Sequence, residues 1–175
     1  EDGMRIFRRN MQMIFQDPYE SLNPRWTIKD IIKEPLDIHN IGSFSEREDA
    51  VVEILRTVGL TPPENYMSRY PHEISGGQRQ RVSIARTLVM KPKFVVCDEP
   101  TSMLDVSIRI SIMDLMLNLA KELDVSYLYI THDLAVARYM CNRIAVMFNG
   151  KIVEIAETEE LLNNPIHPYT KRLIS

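Results

Sequence analysis

The sequence has few of the residues that build disulfides, metal cages and membrane spans. Its two cysteines, Cys97 and Cys141, are isolated from each other, so neither a disulfide framework nor a Cys-x-x-Cys metal site is indicated, and we predict a reduced, intracellular protein. No apolar run approaches the roughly 18 residues of a membrane-spanning helix, and no signal peptide is recognisable. We therefore predict a chain that neither crosses a membrane nor is exported.

Glycine is also scarce. None of the six glycines fits G-x-x-x-x-G-K-[ST], the loop whose backbone N–H groups and lysine hold phosphates. Only Gly76 and Gly77 are adjacent, and they lie at the start of a predicted helix in the stretch ISGGQRQR. Bare N–H groups and the positive end of the helix dipole favour an anion at such a place. This turn therefore predicts phosphate binding, although the usual lysine is missing.

No excess of positive charge is present either. Lys and Arg number 21 against 24 Asp and Glu, and the formal net charge of −3 does not favour nucleic-acid binding. The 175 residues, 45% apolar and 26% charged, suit one globular domain or a large fragment of one. Because the sequence starts at Glu1 without an initiator methionine, we expect it to be a piece of a longer protein.

One strand and a largely helical segment are predicted for the first half. Residues 11–16 predict a buried strand, and residues 17–26 contain two prolines and predict a loop. A short helix after this loop is expected to end or kink at Pro35. Ser45 and Glu48 have the spacing of a capping box at the start of the next helix. We expect this half to form a separate helical lobe.

Strands and helices alternate in the second half. Apolar runs at 93–99 and 125–132 predict buried strands, and a long helix is predicted between them at 107–123. A short helix at 133–141 precedes two strands in 143–157, which an Asn-Gly pair joins as a hairpin. This alternation predicts an α/β fold with a parallel sheet.

Polar side chains follow three of the predicted strands. Asp98 and Glu99 lie where an aspartate can hold Mg²⁺ and a glutamate can polarise water for attack on phosphate, although an ordinary solvated strand end is the alternative. His132 either contacts a phosphate or belongs to a capping turn with Asp133. Gln16 either ligates Mg²⁺ through its amide oxygen or is only a polar strand end.

Five stretches resemble the motifs of the ABC-type ATPases and occur in that family's order. ISGGQRQR resembles the signature motif, and FVVCDEP resembles the Walker-B strand with its catalytic Glu. SMLD at 102–105 resembles the D-loop, ITHD the switch-histidine loop and IFQDP the Q-loop. Longer stretches are similar to the branch that serves oligopeptide and dipeptide importers: YPHEISGGQRQRVSIAR, QDPYESLNPR and NPIHPYTKRLIS. Ile74 and Met103 are small departures, where leucine and alanine are common.

The resemblance implies a P-loop-NTPase-like ABC ATPase core, which is a parallel sheet with helices, and a helical lobe. The implied segments are 1–16 for the Q-loop strand of the core, 17–91 for the Q-loop and helical signature lobe, 92–157 for the Walker-B, D-loop and switch-His half of the core, and 158–175 for a C-terminal helical segment. The N-terminal β region, the P-loop strand and the adenine-stacking residue are expected upstream of Glu1. Without that strand, we expect the first three strands to stay adjacent and parallel. The pair at 143–156 is expected to pack less regularly or to pair with another chain.

The resemblance also implies roles for the site residues. Glu99 is the general base and His132 holds the γ-phosphate of ATP. Asp98 supports Mg²⁺, and Gln16 links the metal to the membrane subunit. In this family two domains sandwich two ATP molecules head to tail, so one domain's signature faces its partner's nucleotide. The residues implied to contact nucleotide in this way are Ser75, Gly76, Gly77, Gln78 and Asp105.

The implied cofactors are ATP and Mg²⁺, and the implied partners are a second ABC ATPase domain and transmembrane permease subunits. The protein is then expected to be cytoplasmic and peripheral on the inner face of the cell membrane. Residues 17–26 and the helical lobe are expected to dock the membrane partner. Exposed Tyr19, Leu22 and Trp26 would suit this docking, and packing within the lobe is the alternative. Arg79 and Arg81 could assist in holding phosphate, but as the polar face of a helix they are expected to be structural.

Two other functions remain open at this point. One is a non-transport ABC ATPase that acts on DNA or ribosomes, although the span from Gln16 to Ser75 contains no heptads. The other is a non-enzymatic remnant that completes a partner's nucleotide site, which the missing P-loop motivates. The chain by itself is not expected to hydrolyse ATP.

Overall fold

A computed structural model of the chain describes residues 2–174, apart from the side chains of Asp2, Arg5, Tyr19 and Glu20. The chain forms two compact units, Glu1–Leu128 and Tyr129–Ser175, and each is described by itself. The helices are α1 (Asp2–Asn10), α2 (Pro18–Ser21), α3 (Ile28–Ile38), α4 (Phe44–Thr57), α5 (Glu64–Met67), α6 (Gly76–Leu88), α7 (Val106–Glu122), α8 (Leu134–Met140), α9 (Thr158–Asn163) and α10 (Pro168–Ile174). The strands are β1 (Met11–Ile14), β2 (Phe94–Asp98), β3 (Ser126–Ile130), β4 (Arg143–Phe148) and β5 (Lys151–Glu157), and Pro71–Glu73 is a 3₁₀ turn.

A three-stranded sheet in the order β1-β2-β3 supports the first unit. β1 and β2 run parallel, with Ile14 opposite Cys97. The N–H of Ser126 at the start of β3 donates to the carbonyl oxygen of Lys93 at 3.0 Å. Val95 and Cys97 on β2 are fully buried, as expected for a central strand covered by helices. The predicted α/β fold and the adjacency of the first three strands are confirmed.

β1 is shorter than the predicted strand at 11–16. It ends at Ile14, so Phe15 and Gln16 lie beyond it. Its neighbour limits the ladder: Ile14 pairs with Cys97 and β2 ends one residue later at Asp98, so Gln16 has no strand residue beside it. A strand can continue its hydrogen-bonded ladder only as far as a neighbour accompanies it. The helix α1, directly before β1, is an element that the sequence pattern did not reveal.

Two details of the helical region differ from the sequence prediction. Pro35 neither ends nor sharply limits α3, which continues to Ile38, because a proline near the last turn removes only one helical N–H donor. The capping box of α4 joins Ser43 and Glu46 rather than the predicted Ser45 and Glu48. The N–H of Ser43 donates to Glu46 Oε2 at 2.7 Å, and the N–H of Glu46 donates to Ser43 Oγ at 3.4 Å.

The long helices α6 and α7 pack beside the sheet. α6 buries an apolar face formed by Val82, Ile84, Ala85 and Leu88. α7 buries the residues Ile112, Met113, Met116 and Leu119, which recur at the helical spacing of about 3.6 residues. In the part of the chain that the structure describes, no helix is long and apolar enough to span a membrane.

The second unit contains the predicted hairpin. β4 and β5 are antiparallel and form a two-stranded sheet of their own. Asn149 and Gly150 make the turn with φ of 49° and 76°, as a type I′ turn requires. The register shifts between Val146 and Met147. This separation from the sheet of β1, β2 and β3 agrees with the expected irregular packing of 143–156.

A small core holds the helices of the second unit against its hairpin. Its buried members are Ala137, Ile144, Val146 and Leu161. Glu154 on β5 adds a polar tether, because its carboxylate accepts the N–H groups of Ile166 and His167 at 2.8 and 2.9 Å. The backbone N–H groups of the segment before α10 are therefore hydrogen-bonded to the side chain of Glu154 on the hairpin.

Candidate functional site

The turn at the start of α6 is closed by a capping box. The N–H of Gln78 donates to Ser75 Oγ at 3.3 Å, and the N–H of Ser75 donates to Gln78 Oε1 at 2.9 Å. The Ser75 hydroxyl keeps its own proton for an outside acceptor, and Ser75 is exposed. The first-turn N–H groups of Gly76 and Gly77 have no helical acceptor by position. The turn thus offers the exposed Ser75 hydroxyl and the N–H of half-buried Gly76 at a positive helix end, whereas Gly77 is buried.

The two glycines of this turn have different surroundings. A Cβ on Gly77 would lie 2.7 Å from Ile108 Cγ2, which is closer than side chains pack. A Cβ on Gly76 would lie 3.9 Å from Leu104 Cδ2, an ordinary contact. Gly77 is therefore needed for the approach of α7 to α6 within this chain.

Asp98 and Gln16 are brought to the same edge of the sheet. Asp98 ends β2 one residue after Cys97, and Gln16 lies two residues after Ile14, the partner of Cys97. Gln16 is exposed, whereas Asp98 and Glu99 are half-buried. Parallel strands present their carboxyl ends at one edge, where α/β proteins bind ligands.

Glu99 occupies an unusual backbone conformation directly after β2. Its φ is 42°, in the left-handed region that residues with a side chain rarely adopt. Its carbonyl oxygen accepts the N–H and the hydroxyl of Ser102 at 3.1 and 3.0 Å. These bonds fix the turn between β2 and α7. Strained positions of this kind concentrate at functional sites because the surroundings must hold them in place.

Asp105 precedes α7 at its N-cap position but makes no side-chain capping bond. It is exposed, and Leu104 beside it contacts the turn at Gly76. The structure therefore brings the D-loop residue Asp105 and the signature turn together in the first unit.

His132 belongs to the second unit, where it is exposed directly after β3. Asp133 caps α8, since its carboxylate accepts the N–H groups of Ala135 and Val136 at 2.9 and 3.3 Å. The capping interpretation is thus correct for Asp133. A contact between His132 and phosphate stays a prediction.

Arg79 and Arg81 are both held inside the first unit, as predicted. Arg79 is buried, and its Nη1 donates to the carbonyl oxygen of Pro71 at 2.9 Å. Arg81 donates from Nη1 to the carbonyl oxygen of Val58 at 2.6 Å and from Nη2 to Ser111 Oγ at 2.9 Å. Burial lowers the pKa of Arg81. Sequence reasoning missed the bond to Ser111, because no local pattern links residues in different helices.

Known proteins match this arrangement. The family described as ABC transporter matches residues 1–102, more than half of the chain. This chain belongs to the ABC transporter family.

Over 170 residues it is 55% identical to the oligopeptide transport ATP-binding protein OppF of Bacillus subtilis, covering 97% of the chain and 55% of that protein. Over 176 residues it is 55% identical to AmiF of Streptococcus pneumoniae, another oligopeptide transport ATP-binding protein, covering 100% and 56%. Over 173 residues it is 50% identical to the dipeptide transport ATP-binding protein DppF of Lactococcus lactis, covering 98% and 55%. The chain spans about half the length of the curated relatives it matches.

Solved structures share the fold. CbiO1 of Clostridium perfringens, described as part of the ABC transporter complex CbiONQ, superposes with a TM-score of 0.82 at 27% identity, over 94% of this chain and 63% of that one. The ATP-binding cassette MJ0796, in a dimeric post-hydrolysis state with ADP and Pi, gives a TM-score of 0.74 at 31% identity, over 90% and 67%. The fold of this chain is that of ABC ATPase domains.

The donor set of the sheet edge suits the magnesium ion of an ABC ATPase. Among the described residues, no group of three or more His, Cys, Asp or Glu forms a protein cage for a metal. Mg²⁺ in nucleotide sites takes one or two protein oxygens and fills its other positions with water and phosphate. The carboxylate of Asp98 and the amide oxygen of Gln16 are oxygen ligands of this kind, and their binding of Mg²⁺ stays a prediction.

The exposure expected for apolar residues in the loop at 17–26 is found only in part. Leu22 is buried, with 2% of its surface exposed, so its expected exposure is wrong; as an apolar side chain beside α2 it packs into the core instead. Trp26 stays 39% exposed. The prediction for the Tyr19 side chain lies outside the described residues.

A cavity of about 420 Å³ lies between β1, α3 and α6 in the first unit. Apolar side chains of Met11, Met13, Phe15 and Ile38 line it, beside the ion pair of Arg86 with Glu34 at 2.8 Å. Sequence reasoning missed this cavity.

Proposed function

We propose that the protein containing this chain is the ATP-binding subunit of an ABC importer that couples ATP binding and hydrolysis to uptake of oligopeptides or dipeptides. The curated relatives OppF, AmiF and DppF, whose names give this role, support the proposal. The subunit works with a second ABC ATPase domain and with membrane permease subunits, at the inner face of the cell membrane.

The observation that carries the proposal is the capped turn at the start of α6. Ser75 is exposed, and its hydroxyl oxygen accepts the N–H of Gln78 at the positive end of α6. Such a turn suits a phosphate, and the resemblance to ABC-type ATPases implies that this phosphate belongs to a nucleotide on the partner domain. Ser75, Gly76 and Gly77 therefore contact the γ-phosphate of ATP bound to the partner domain, while Gln78 keeps the turn closed.

The residues after β2 perform the chemistry in this proposal. Glu99 accepts the proton of the attacking water, and the turn fixed by Ser102 aims its carboxylate. Asp98 and Gln16 would hold Mg²⁺, which would supply positive charge against the phosphates of the nucleotide. His132 donates a hydrogen bond to the γ-phosphate. Asp105 borders the signature turn and contacts the partner domain across the nucleotide.

The decisive experiment replaces Glu99 by glutamine in the full-length protein with its partner domain. Glu99→Gln keeps the shape and hydrogen-bonding groups but removes the base, so turnover should fall by about 10²–10⁴-fold. ATP should still bind and should hold the two domains together in size-exclusion chromatography. The matched control is Glu122→Gln at the exposed end of α7, which should keep wild-type turnover. Wild-type turnover in Glu99→Gln would remove Glu99 from this role.

A further inference from the structure

Contacts join the first turns of α6 to the start of α7 and to the loop directly before it. Gly76 lies against Leu104, and Gly77 lies against Ile108. Further along, Arg81 donates to Ser111. The two helices therefore lie side by side and begin at the same end.

The two hydrogen-bonding residues occupy equivalent positions. Arg81 lies as far beyond the N-cap Ser75 as Ser111 lies beyond the N-cap Asp105. The 2.9 Å hydrogen bond between Arg81 and Ser111 thus fixes the position of the start of α6 along the helix axis relative to the start of α7. Gly77 and Ile108 fix the distance between the helices, because their contact leaves no room for a Cβ.

The other half of the Arg81 guanidinium is anchored in a third helix. Nη1 donates to the carbonyl oxygen of Val58, the C-cap residue of α4, at 2.6 Å. A cation at this place also interacts favourably with the negative end of the α4 dipole. Gly59 provides the space, since a Cβ there would lie 3.0 Å from Arg81 Nη1. The guanidinium is therefore held at both of its terminal nitrogens.

We infer that Arg81 is a positioning residue that fixes the signature turn at Ser75 relative to Asp105, so that both reach a nucleotide as one rigid surface. The inference rests on the proposed function, because it concerns how the same turn meets the partner's phosphate. Arg81 itself need not touch the nucleotide in this role. It acts through the bond to Ser111.

The substitution Arg81→Lys separates positioning from folding. A lysine keeps the positive charge at the end of α4 but has a single ammonium group, so it cannot bridge Val58 and Ser111 as a planar guanidinium does. Ser111→Ala removes the same bridge from the other side. Ser111 is exposed, so this second variant is expected to fold normally.

The readout is the ATP concentration at which the full-length protein, carrying Glu99→Gln, closes with its partner domain. Arg81→Lys should raise the half-saturating ATP concentration by about 10-fold, equivalent to about 1.4 kcal/mol. Ser111→Ala should raise it in the same direction, and the double variant should be no worse than Arg81→Lys alone.

Arg47→Lys is the matched control. Arg47 donates to the carbonyl oxygens of Ile41 and Gly42 and pairs with Asp37 at 2.6 Å, so it is an arginine clamp that does not reach α7. It should shift the melting temperature without shifting the ATP dependence of closure.

Three results would overturn the inference. Closure of Arg81→Lys at the wild-type ATP concentration would do so, as would effects of Arg81→Lys and Ser111→Ala that multiply, or an equal shift in Arg47→Lys. If the Glu99→Gln protein does not close at any ATP concentration, the proposed function is wrong and the inference fails with it. If the Glu99→Gln protein closes and the added Arg81→Lys leaves its half-saturating ATP concentration unchanged, only the role of Arg81 is rejected.

Discussion

The helix α6 and the strand β5 differ sharply in burial. Nine of the 13 residues of α6 are buried, including Arg79 and Gln80, whereas no residue of β5 is. α6 is surrounded by its own chain. The hairpin leaves Met147, Ile152 and Ile155 more than half exposed.

This difference in burial separates a rigid element of the chain, α6, from an open one, the hairpin. The proposed phosphate contact at the start of α6 needs a rigid turn, and packing of α6 against its own chain provides this rigidity. A surface that assembles with something else must stay open. The following predictions test this contrast, from the largest expected effect to the smallest.

The largest effect concerns the capped turn by itself. Residues 1–175 should bind Mg-ATP very weakly and hydrolyse none measurably, because the chain lacks the lysine loop that holds a triphosphate. Each charge-assisted hydrogen bond contributes about 1.5–3 kcal/mol, and each ~1.4 kcal/mol is tenfold in affinity. Losing several should weaken binding by many orders of magnitude.

Calorimetry of this chain with Mg-ATP measures the effect, and the full-length protein is the comparison. Micromolar binding by residues 1–175 would mean that the turn at Ser75 holds nucleotide by itself. The proposed trans arrangement would then be wrong.

The next prediction compares the two cores. Leu55 on α4 and Leu161 on α9 are both fully buried, and Leu→Ala at either position should cost about 2–5 kcal/mol. Leu161→Ala should loosen only the second unit, whose core has few buried members. Leu55→Ala should loosen the first.

Hydrogen exchange resolved along the sequence separates these outcomes. Faster exchange in α9 and the hairpin alone is expected for Leu161→Ala. Uniformly faster exchange across residues 2–174 in that variant would show that the two units unfold as one, and would contradict their separate cores.

Much of this architecture could be predicted from the sequence. The Asn149-Gly150 turn, the strand before Asp98 and the helix start at Ser75 follow from local patterns of turn chemistry, apolar runs and capping. The predicted places of these elements are confirmed to within one or two residues. Local rules suffice for these elements because the residues that determine each turn, strand or helix start lie next to one another in the sequence.

The failures have tertiary causes. Both Ser43 and Ser45 are followed three residues later by glutamate, so the sequence offers two capping boxes. Glu48 instead pairs with Lys29 of α3 at 3.1 Å, a contact that no local pattern shows. The burial of Leu22 depends in the same way on long-range packing.

A smaller effect should separate the two glycines of the capped turn. Gly77→Ala places a Cβ 2.7 Å from Ile108 Cγ2, and overpacking of this kind costs about 1–3 kcal/mol. Gly76→Ala meets only an ordinary contact at 3.9 Å, and alanine is favoured over glycine in a helix by roughly 0.5–1 kcal/mol.

Urea unfolding of the two variants measures this difference. Gly77→Ala should unfold at lower urea than wild type, and Gly76→Ala at equal or higher urea. Equal stability of the two variants would show that α7 moves away from α6 at no cost, and would weaken the argument that the two helices are rigidly joined.

The smallest effect concerns the tether in the open second unit. The hydroxyl of Thr170 and the N–H groups of Ile166 and His167 lower the pKa of Glu154, and the charge of His167 adds to this. Because the folded pKa lies below the unfolded value of about 4.3, the ionised tether stabilises the fold above that pH. Its contribution is lost as the pH falls through the folded pKa.

Between pH 7 and pH 3 the second unit of wild type should therefore loosen more than that of Glu154→Gln, whose amide does not titrate. Melting curves across this range, with Glu160→Gln as an exposed control on α9, measure the difference. The same pH slope in wild type and Glu154→Gln would show that the segment before α10 is held by the contact of Phe148 with Tyr169, whose ring centroids lie 4.4 Å apart, rather than by the carboxylate.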